Sequence, residues 1–426
     1  MAGIMAKVIT RFPPSPTGYF HIGRARTALF NYLYAKQQGG ELVFRIEDTD
    51  KDRSKPEFEI DLIEGLKWLG IKWDNSEIAH QSTRTEIYKK YLSALVTAGK
   101  AYIGEGGKVV HFKNPNTTIT FSDLIRGEIS VDTTDLGDFI IARSIDDPLY
   151  HLTVVVDDFE MGITHVIRGD DGISNTPRQI LLQEAIGAPR PIYAHIPLIL
   201  AADRSKLSGR HGAVSVRDYK TKGYLPEALV NYLALLGWHP EGDQELFTVA
   251  ELIDQFKLER VQKGGAIFDI EKLNWLNREH LKLLSDEEFA NRAAEFWPEA
   301  PAGLLVKLAP EFKVRLTTLS EITTLASSGD LGFYSQAPAP TRELLKTTEF
   351  LPEIIAKLET ITDMEFKVDV IKATLWDFAT EKGRANVLWP MRVALTGLKQ
   401  SPDPFFVASI LGKAETLKRL KDAAAI

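Results

Sequence analysis

Residues 11–24 read RFPPSPTGYFHIGR, and this segment restricts the possible architecture more than any other. A β-rich run from Lys7 to Phe12 leads into three prolines and a glycine. A stretch from Arg24 to Gln38 then carries Ala28, Leu29, Tyr32, Leu33 and Ala35 at roughly helical spacing. The segment reads strand, rigid loop, helix. Such a helix start is expected to offer unpaired N–H groups and a positive dipole end to a phosphate. Gly18 and Gly23 would leave room for it, and His21 and Arg24 would add directed donors.

The same alternation continues with the strand ELVFRIED (Glu41 to Asp48) and a helix from about Phe58 to Leu69, as in a parallel α/β sheet. From about residue 100 to 148 the chain breaks into short β-like runs punctuated by Gly, Asn and Asp. The α/β rhythm returns from Tyr150. LTVVVDD is apolar enough for a strand ending at Asp157 and Asp158, ITHVIRGDD and AHIPLIL read as strands, and NTPRQILLQEAIG reads as a helix with proline near its start. The simplest account is a nucleotide-binding sheet interrupted by a small β-containing insertion. After about residue 220 helical periodicity dominates, as in PEALVNYLALLG and DIEKLNWLN, and SQAPAPTR (Ser335 to Arg342) is a short linker candidate.

With 426 residues, 44% hydrophobic and 26% charged, the chain can bury several cores. No stretch approaches the roughly 18 apolar residues of a membrane span, and no signal peptide is evident, so a cytoplasmic protein is expected. Cysteine is absent, which excludes disulfides and every thiolate metal site. The net charge of −7 argues against bulk attraction to nucleic acid, although phosphate binding depends on local Lys and Arg. That charge is uneven: residues 303–426 hold 16 Lys and Arg against 15 Asp and Glu, so they carry +1 and leave −8 on residues 1–302. The gradient permits an RNA partner at the C-terminal end.

Four further segments concentrate chemistry. RSKLSGRHGAVSV (Arg204 to Val216) gathers Arg204, Lys206, Arg210 and His211 around two glycines, which taken alone reads as a basic Gly/Ser turn on a surface. In VVVDDFEMGITHVIRGDDGISNTPRQ (Val154 to Gln179), Arg168 sits where a strand ends over the expected ligand crevice, and an arginine there suits bidentate carboxylate recognition. In FRIEDTDKDR (Phe44 to Arg53), Glu47 ends a strand and can face an ammonium. Asp50 and Asp52 read as a solvated turn, and a magnesium site there is only weakly signalled. KGGAIFDIEKLNWLN and WPMRVALTG look like packed helices with turn glycines.

Taken together and in order, these motifs resemble the class I aminoacyl-tRNA synthetases, and RFxPSPTG resembles their glutamyl-tRNA synthetase branch. The resemblance implies an α/β fold: a Rossmann-type parallel-sheet catalytic domain with a short inserted β-containing subdomain, followed by all-α C-terminal domains. The expected segments are 1–87 and 150–202 for the catalytic halves, 88–149 for an acceptor-binding insertion, 203–302 for a KMSKS-like loop and stem-contact helices, and 303–426 for anticodon binding. The implied activity is ATP-dependent ligation of L-glutamate to tRNA through a glutamyl-adenylate. His21, Arg24, Lys206 and Arg210 would be catalytic, with Gly18, Gly23 and Ser208 also on ATP. Arg11, Tyr150 and Arg168 would hold the glutamate side-chain carboxylate, and Ser15 and Glu47 its α groups. Magnesium would accompany ATP. The short insertion carries no Cys/His ligand set, so no zinc is expected. Partners would be tRNA and L-glutamate, without DNA or membrane, and the protein a monomer.

Two departures stand out. Arg24 replaces the second histidine of the HIGH signature and keeps a permanent charge with several donors. Gly209 replaces the second lysine of the KMSKS-like loop. Losing a charge-assisted hydrogen bond worth roughly 1.5–3 kcal/mol would slow adenylation by roughly 10- to 150-fold unless Arg210 or Arg204 compensates. Gly209 therefore motivates one rival reading, a tRNA-binding paralogue with impaired catalysis. Another is an adenylyl-transferring enzyme that modifies a tRNA nucleoside, against which the long C-terminal helical region argues.

Overall fold

A computed structural model describes residues 7–207 and 214–426. The chain divides into two compact units, Met1–His280 and Leu281–Ile426.

In the first unit β1 (Ile9–Phe12) runs parallel to β2 (Glu41–Ile46), which is followed by the short β3 (Ala79–His80). The crossovers are α1 (Ile22–Gln37) and α2 (Pro56–Trp68). After α3 (Thr85–Thr97), the strands β4 (Ala101–Ile103), β5 (Val110–Phe112), β6 (Thr118–Asp123), β7 (Gly127–Asp132), β8 (Phe139–Ser144) and β9 (Asp147–Pro148) follow. Then come α4 (Tyr150–Glu160), β10 (His165–Gly169), α5 (Thr176–Ile186) and β11 (Ile192–Ile196). β10 and β11 are parallel, and the amide of Thr164 donates to Ile9 O at 2.9 Å, which sets β10 beside β1. The order of strands therefore reverses between β1 and β10, since each leads to its own parallel neighbour on the opposite side.

The insertion is not a detached module. β4, β5, β8 and β9 form an antiparallel sheet, but β6 pairs in parallel with β11 at Tyr193↔Asp123, so the β6–β7 hairpin extends the nucleotide-type sheet. Asp123 is thereby carried from the insertion into the interior.

LTVVVDD is helical, not a strand, and Asp157 and Asp158 lie inside α4. Three consecutive valines favour β structure locally. Tertiary packing overrides that preference: every residue from Leu152 to Asp158 is buried, in a helix enclosed on all sides.

Beyond β12 (Ile199–Leu200), which pairs with β13 (Ala266–Ile267), the unit turns helical with α6 (Val216–Thr221), α7 (Pro226–Leu235), α8 (Val249–Gln255) and α9 (Ile270–Leu283). The second unit contains only helices, from α10 (Asp286–Ala293) to α18 (Lys413–Ala424), around an apolar core that includes Leu351, Ile354, Leu375, Val387 and Leu420. SQAPAPTR lies within this unit and divides nothing. No helix among the described residues is long and apolar enough to cross a membrane.

Candidate active site

A crevice of about 770 Å³ opens at the carboxyl ends of the parallel strands, where ligands collect in open α/β sheets. His21, Gly23, Arg24 and Lys206 line it together with Gly169, Asp171, Leu198, Ile199, Leu207 and Val214. Cationic donors and an apolar slot thus share one cavity, a combination that fits a nucleotide.

The helix start does not offer free N–H groups. His21 is the N-cap of α1, and its Nδ1 accepts from the amides of Gly23 (3.1 Å) and Arg24 (3.3 Å). The amide of Ile22 donates to Val214 O, and that of Ala25 to His21 O. The first-turn donors are therefore satisfied by the protein, contrary to the expectation from sequence. Chemistry passes instead to the imidazole: an Nδ1 that accepts two bonds leaves the proton on Nε2. Burial, with help from Arg24 and Lys206, pushes the His21 pKa down to about 4, which keeps that neutral donor in place at physiological pH. Gly23 serves the same cap, since a Cβ there would come within 3.0 Å of the His21 ring. Gly18 does not line the crevice, and a Cβ there would meet nothing within 4 Å.

Arg24 is held by its Nη1, which donates to Ser15 O at 2.9 Å, and among the described residues its other side-chain N–H groups have no hydrogen-bond partner. Lys206 is anchored at the root of its loop by a bridge to Leu200. The turn between them puts Arg204 in the left-handed region at φ 64°, a conformation that arginine adopts only under constraint. Ser208, Gly209, Arg210 and His211 lie outside the described residues.

Arg11, Glu47 and Arg168 come together at the ends of β1, β2 and β10. Arg11 Nε meets Asp158 at 3.4 Å, and its Nη1 donates to Ile167 O. Arg45, fully buried, meets Asp158 at 2.6 Å, Glu47 at 3.1 Å and Asp157 at 3.8 Å. Burial alone would raise the Asp158 pKa, but Arg45 and Arg11 outweigh it and hold it below the ordinary carboxylate value. For Glu47 burial prevails over Arg45, and its pKa is raised. Tyr150 opens α4, with Glu47, Arg168, Arg11 and Gln179 all near its hydroxyl. Its pKa is raised, chiefly by burial of that hydroxyl, although 40% of the whole residue is exposed.

Arg168 is bound differently. Its Nε donates to His195 Nε2 (3.1 Å), Nη1 to Gln179 Oε1 (2.7 Å), and Nη2 to both Gly172 O (3.1 Å) and Thr176 Oγ1 (2.7 Å). Four of its five N–H groups are therefore committed, so the bidentate fork expected from sequence is not free as the side chain stands. None of those partners is anionic. A buried guanidinium that hydrogen-bonds only to neutral groups retains an unsatisfied demand for an anion.

Asp48 accepts from the amide and hydroxyl of Ser82, and Asp50 pairs with Arg53, so these acids serve the turn. Among the described residues no group of three His, Asp or Glu side chains is placed to hold a metal ion. Sequence reasoning passed over Arg45, Asp123, Gln179 and His195. The available signal was a lone arginine or histidine inside an apolar strand, which buries only with a partner.

The catalytic-domain model described as tRNA synthetases class I (E and Q) matches residues 7–108 and 103–275, and an anticodon binding domain model matches 288–424. The chain is 39% identical to a glutamate–tRNA ligase of Carboxydothermus hydrogenoformans, over 97% of this chain and 99% of that one. It is 40% identical to one of Geobacter sulfurreducens, over 99% of each. A crystal structure of a glutamate tRNA ligase from Elizabethkingia meningosepticum in complex with its amino acid superposes with a TM-score of 0.85, at 29% identity over 98% of this chain and 99% of that one.

Proposed function

The chain belongs to the glutamate–tRNA ligase family of class I tRNA synthetases, and from that premise we propose that its crevice and the buried carboxylate pocket beside it act in sequence. The reaction is ligation of L-glutamate to tRNA. The α-carboxylate of glutamate attacks the α-phosphorus of ATP, pyrophosphate leaves, and the resulting glutamyl-adenylate passes its acyl group to the 3′-terminal ribose of tRNA. Catalysis rests on positioning and charge stabilisation, since phosphoryl chemistry of this kind asks little covalent work of the protein.

His21 donates from Nε2 to the ATP phosphates, Arg24 adds a permanent charge, and Lys206 closes from the loop together with Ser208 and Arg210. Arg11, Tyr150 and Arg168 receive the side-chain carboxylate, while Ser15 and Glu47 hold the α groups. Magnesium would accompany ATP and neutralise charge on its phosphates. Residues 88–149 take the acceptor end and 303–426 the anticodon.

The observation that carries this reading is Arg168: a buried cation with four neutral partners, one strand away from a crevice lined by His21, Arg24 and Lys206. Glutamate-dependent pyrophosphate exchange with tRNA present tests it, and a silent assay in a protein that still binds ATP and tRNA would refute it. Kinship over the full length favours the ligase over a tRNA-nucleoside-modifying enzyme.

A further inference from the structure

Gln179 on α5 is 3% exposed, and its Nε2 has no hydrogen-bond partner. Turning the amide over would not relieve this. Arg168 donates to Oε1, and a guanidinium has no acceptor to give Nε2 in exchange. The orientation of Arg168 is fixed in turn, because its Nε needs the lone pair of His195 Nε2. That requirement places the imidazole proton on Nδ1, where Asp123 Oδ2 accepts it at 2.6 Å. Asp123 is itself held by the amides of Ile125, Arg126 and His195. Donation therefore diverges from Arg168, through His195 to Asp123 on one side and to Gln179 Oε1 on the other. On the Gln179 side it ends in an amide N–H2 that has no partner within 3.5 Å and only a longer interaction with the Tyr150 hydroxyl.

We infer that Gln179 is a specificity-determining residue whose Nε2 donates to the side-chain carboxylate of glutamate, with Asp123 and His195 as positioning residues that hold Arg168 against its Oε1. The assignment rests on the reading that this carboxylate lies among Arg11, Tyr150 and Arg168. A carboxylate brings two oxygens that only accept, and it meets the spare N–H of Arg168, the amide of Gln179 and the Tyr150 hydroxyl without conflict. The carboxamide of glutamine brings one such oxygen and sets its own N–H2 against N–H donors. A wall of donors thus selects the acid by penalising the amide.

Gln179→Glu keeps an acceptor for Arg168 and replaces the free N–H2 with an oxygen. Pyrophosphate exchange with tRNA present, driven by glutamate or by glutamine, is compared in the full-length wild type and variant. The KM for glutamate is expected to rise about 10- to 150-fold, the cost of losing a hydrogen bond to a charged group. The KM for ATP stays unchanged, and the kcat/KM preference for glutamate over glutamine falls at least tenfold. Asp123→Asn, which lets the imidazole proton move to Nε2, is expected to raise the glutamate KM without touching that for ATP. An unchanged glutamate KM in Gln179→Glu, or an equal rise for both amino acids, overturns the assignment. If that variant does not fold, the uncharged Gln179→Met gives the same reading, and an unchanged glutamate KM in it is equally fatal. A wild type silent with glutamate overturns the underlying reaction and the assignment with it. A responsive wild type beside an unresponsive variant effect overturns Gln179 alone.

Discussion

Two buried arginines, Arg45 and Arg168, stand in adjoining regions of one sheet and are treated in opposite ways. Around Arg45 the protein supplies three carboxylates, Asp158, Glu47 and Asp157. Around Arg168 it supplies an imidazole, an amide, a hydroxyl and a carbonyl, all neutral. In the first region Arg45 has its counter-charges without a ligand and ties β2 to α4. The second is complete only when an anion arrives. Burial, which the two share, does not distinguish Arg45 from Arg168; the charge of their partners does.

The largest expected effect comes from breaking the first region. Arg45→Met leaves Glu47 and Asp158 short of their main counter-charge in the interior, and a loss of about 3–5 kcal/mol in unfolding free energy is expected from denaturant titration. Arg168→Met breaks the second. Only neutral acceptors are orphaned, so the loss of stability is smaller, about 1–3 kcal/mol, whereas the glutamate KM rises at least about 30-fold. Similar stability losses in the two variants would erase the contrast.

His21 sharpens the comparison on the nucleotide side. His21→Ala removes both a helix cap, worth about 1 kcal/mol, and the Nε2 donor proposed for the phosphates. His21→Asn restores the cap, since asparagine is a favoured N-cap, but cannot reach as Nε2 does. The melting temperature of His21→Asn should therefore recover towards wild type while pyrophosphate exchange stays slow by roughly 10- to 150-fold.

The smallest effect is one of pH. His21 and His151 are both pushed down to about 4, chiefly by burial. Between pH 6.5 and 4 the unfolded chain binds protons at these imidazoles that the folded chain refuses, so stability falls as pH falls across that window. Melting curves should decline by a few degrees there, and the His21 ring proton resonance should titrate near pH 4. A midpoint near 6.5 would mean that His21 is not the neutral donor described above.

The opening segment was legible because its signals are local. Prolines 13, 14 and 16 interrupt any regular element, and the chain on either side has the period of a strand and of a helix. Even there the free helix N-terminus was an error, because a histidine cap depends on ring orientation and on Val214, nearly two hundred residues away. The valine run of α4 misled for a different reason: local β preference is small beside the burial of a whole helix. Arg45 and Asp158, or Asp123 and His195, are 113 and 72 residues apart and leave no spacing to read.

By itself the sequence determined most of the alternation of strand and helix, the family, and the residue types proposed for ATP and glutamate, since these depend on short-range periodicity and on ordered motifs. Tertiary structure alone decided which donors stay free. Whether Gly23 N–H, Arg168 or Gln179 can serve a ligand depends on which neighbours have already claimed its hydrogen bonds, and those claims are made across strands that meet only when the sheet closes.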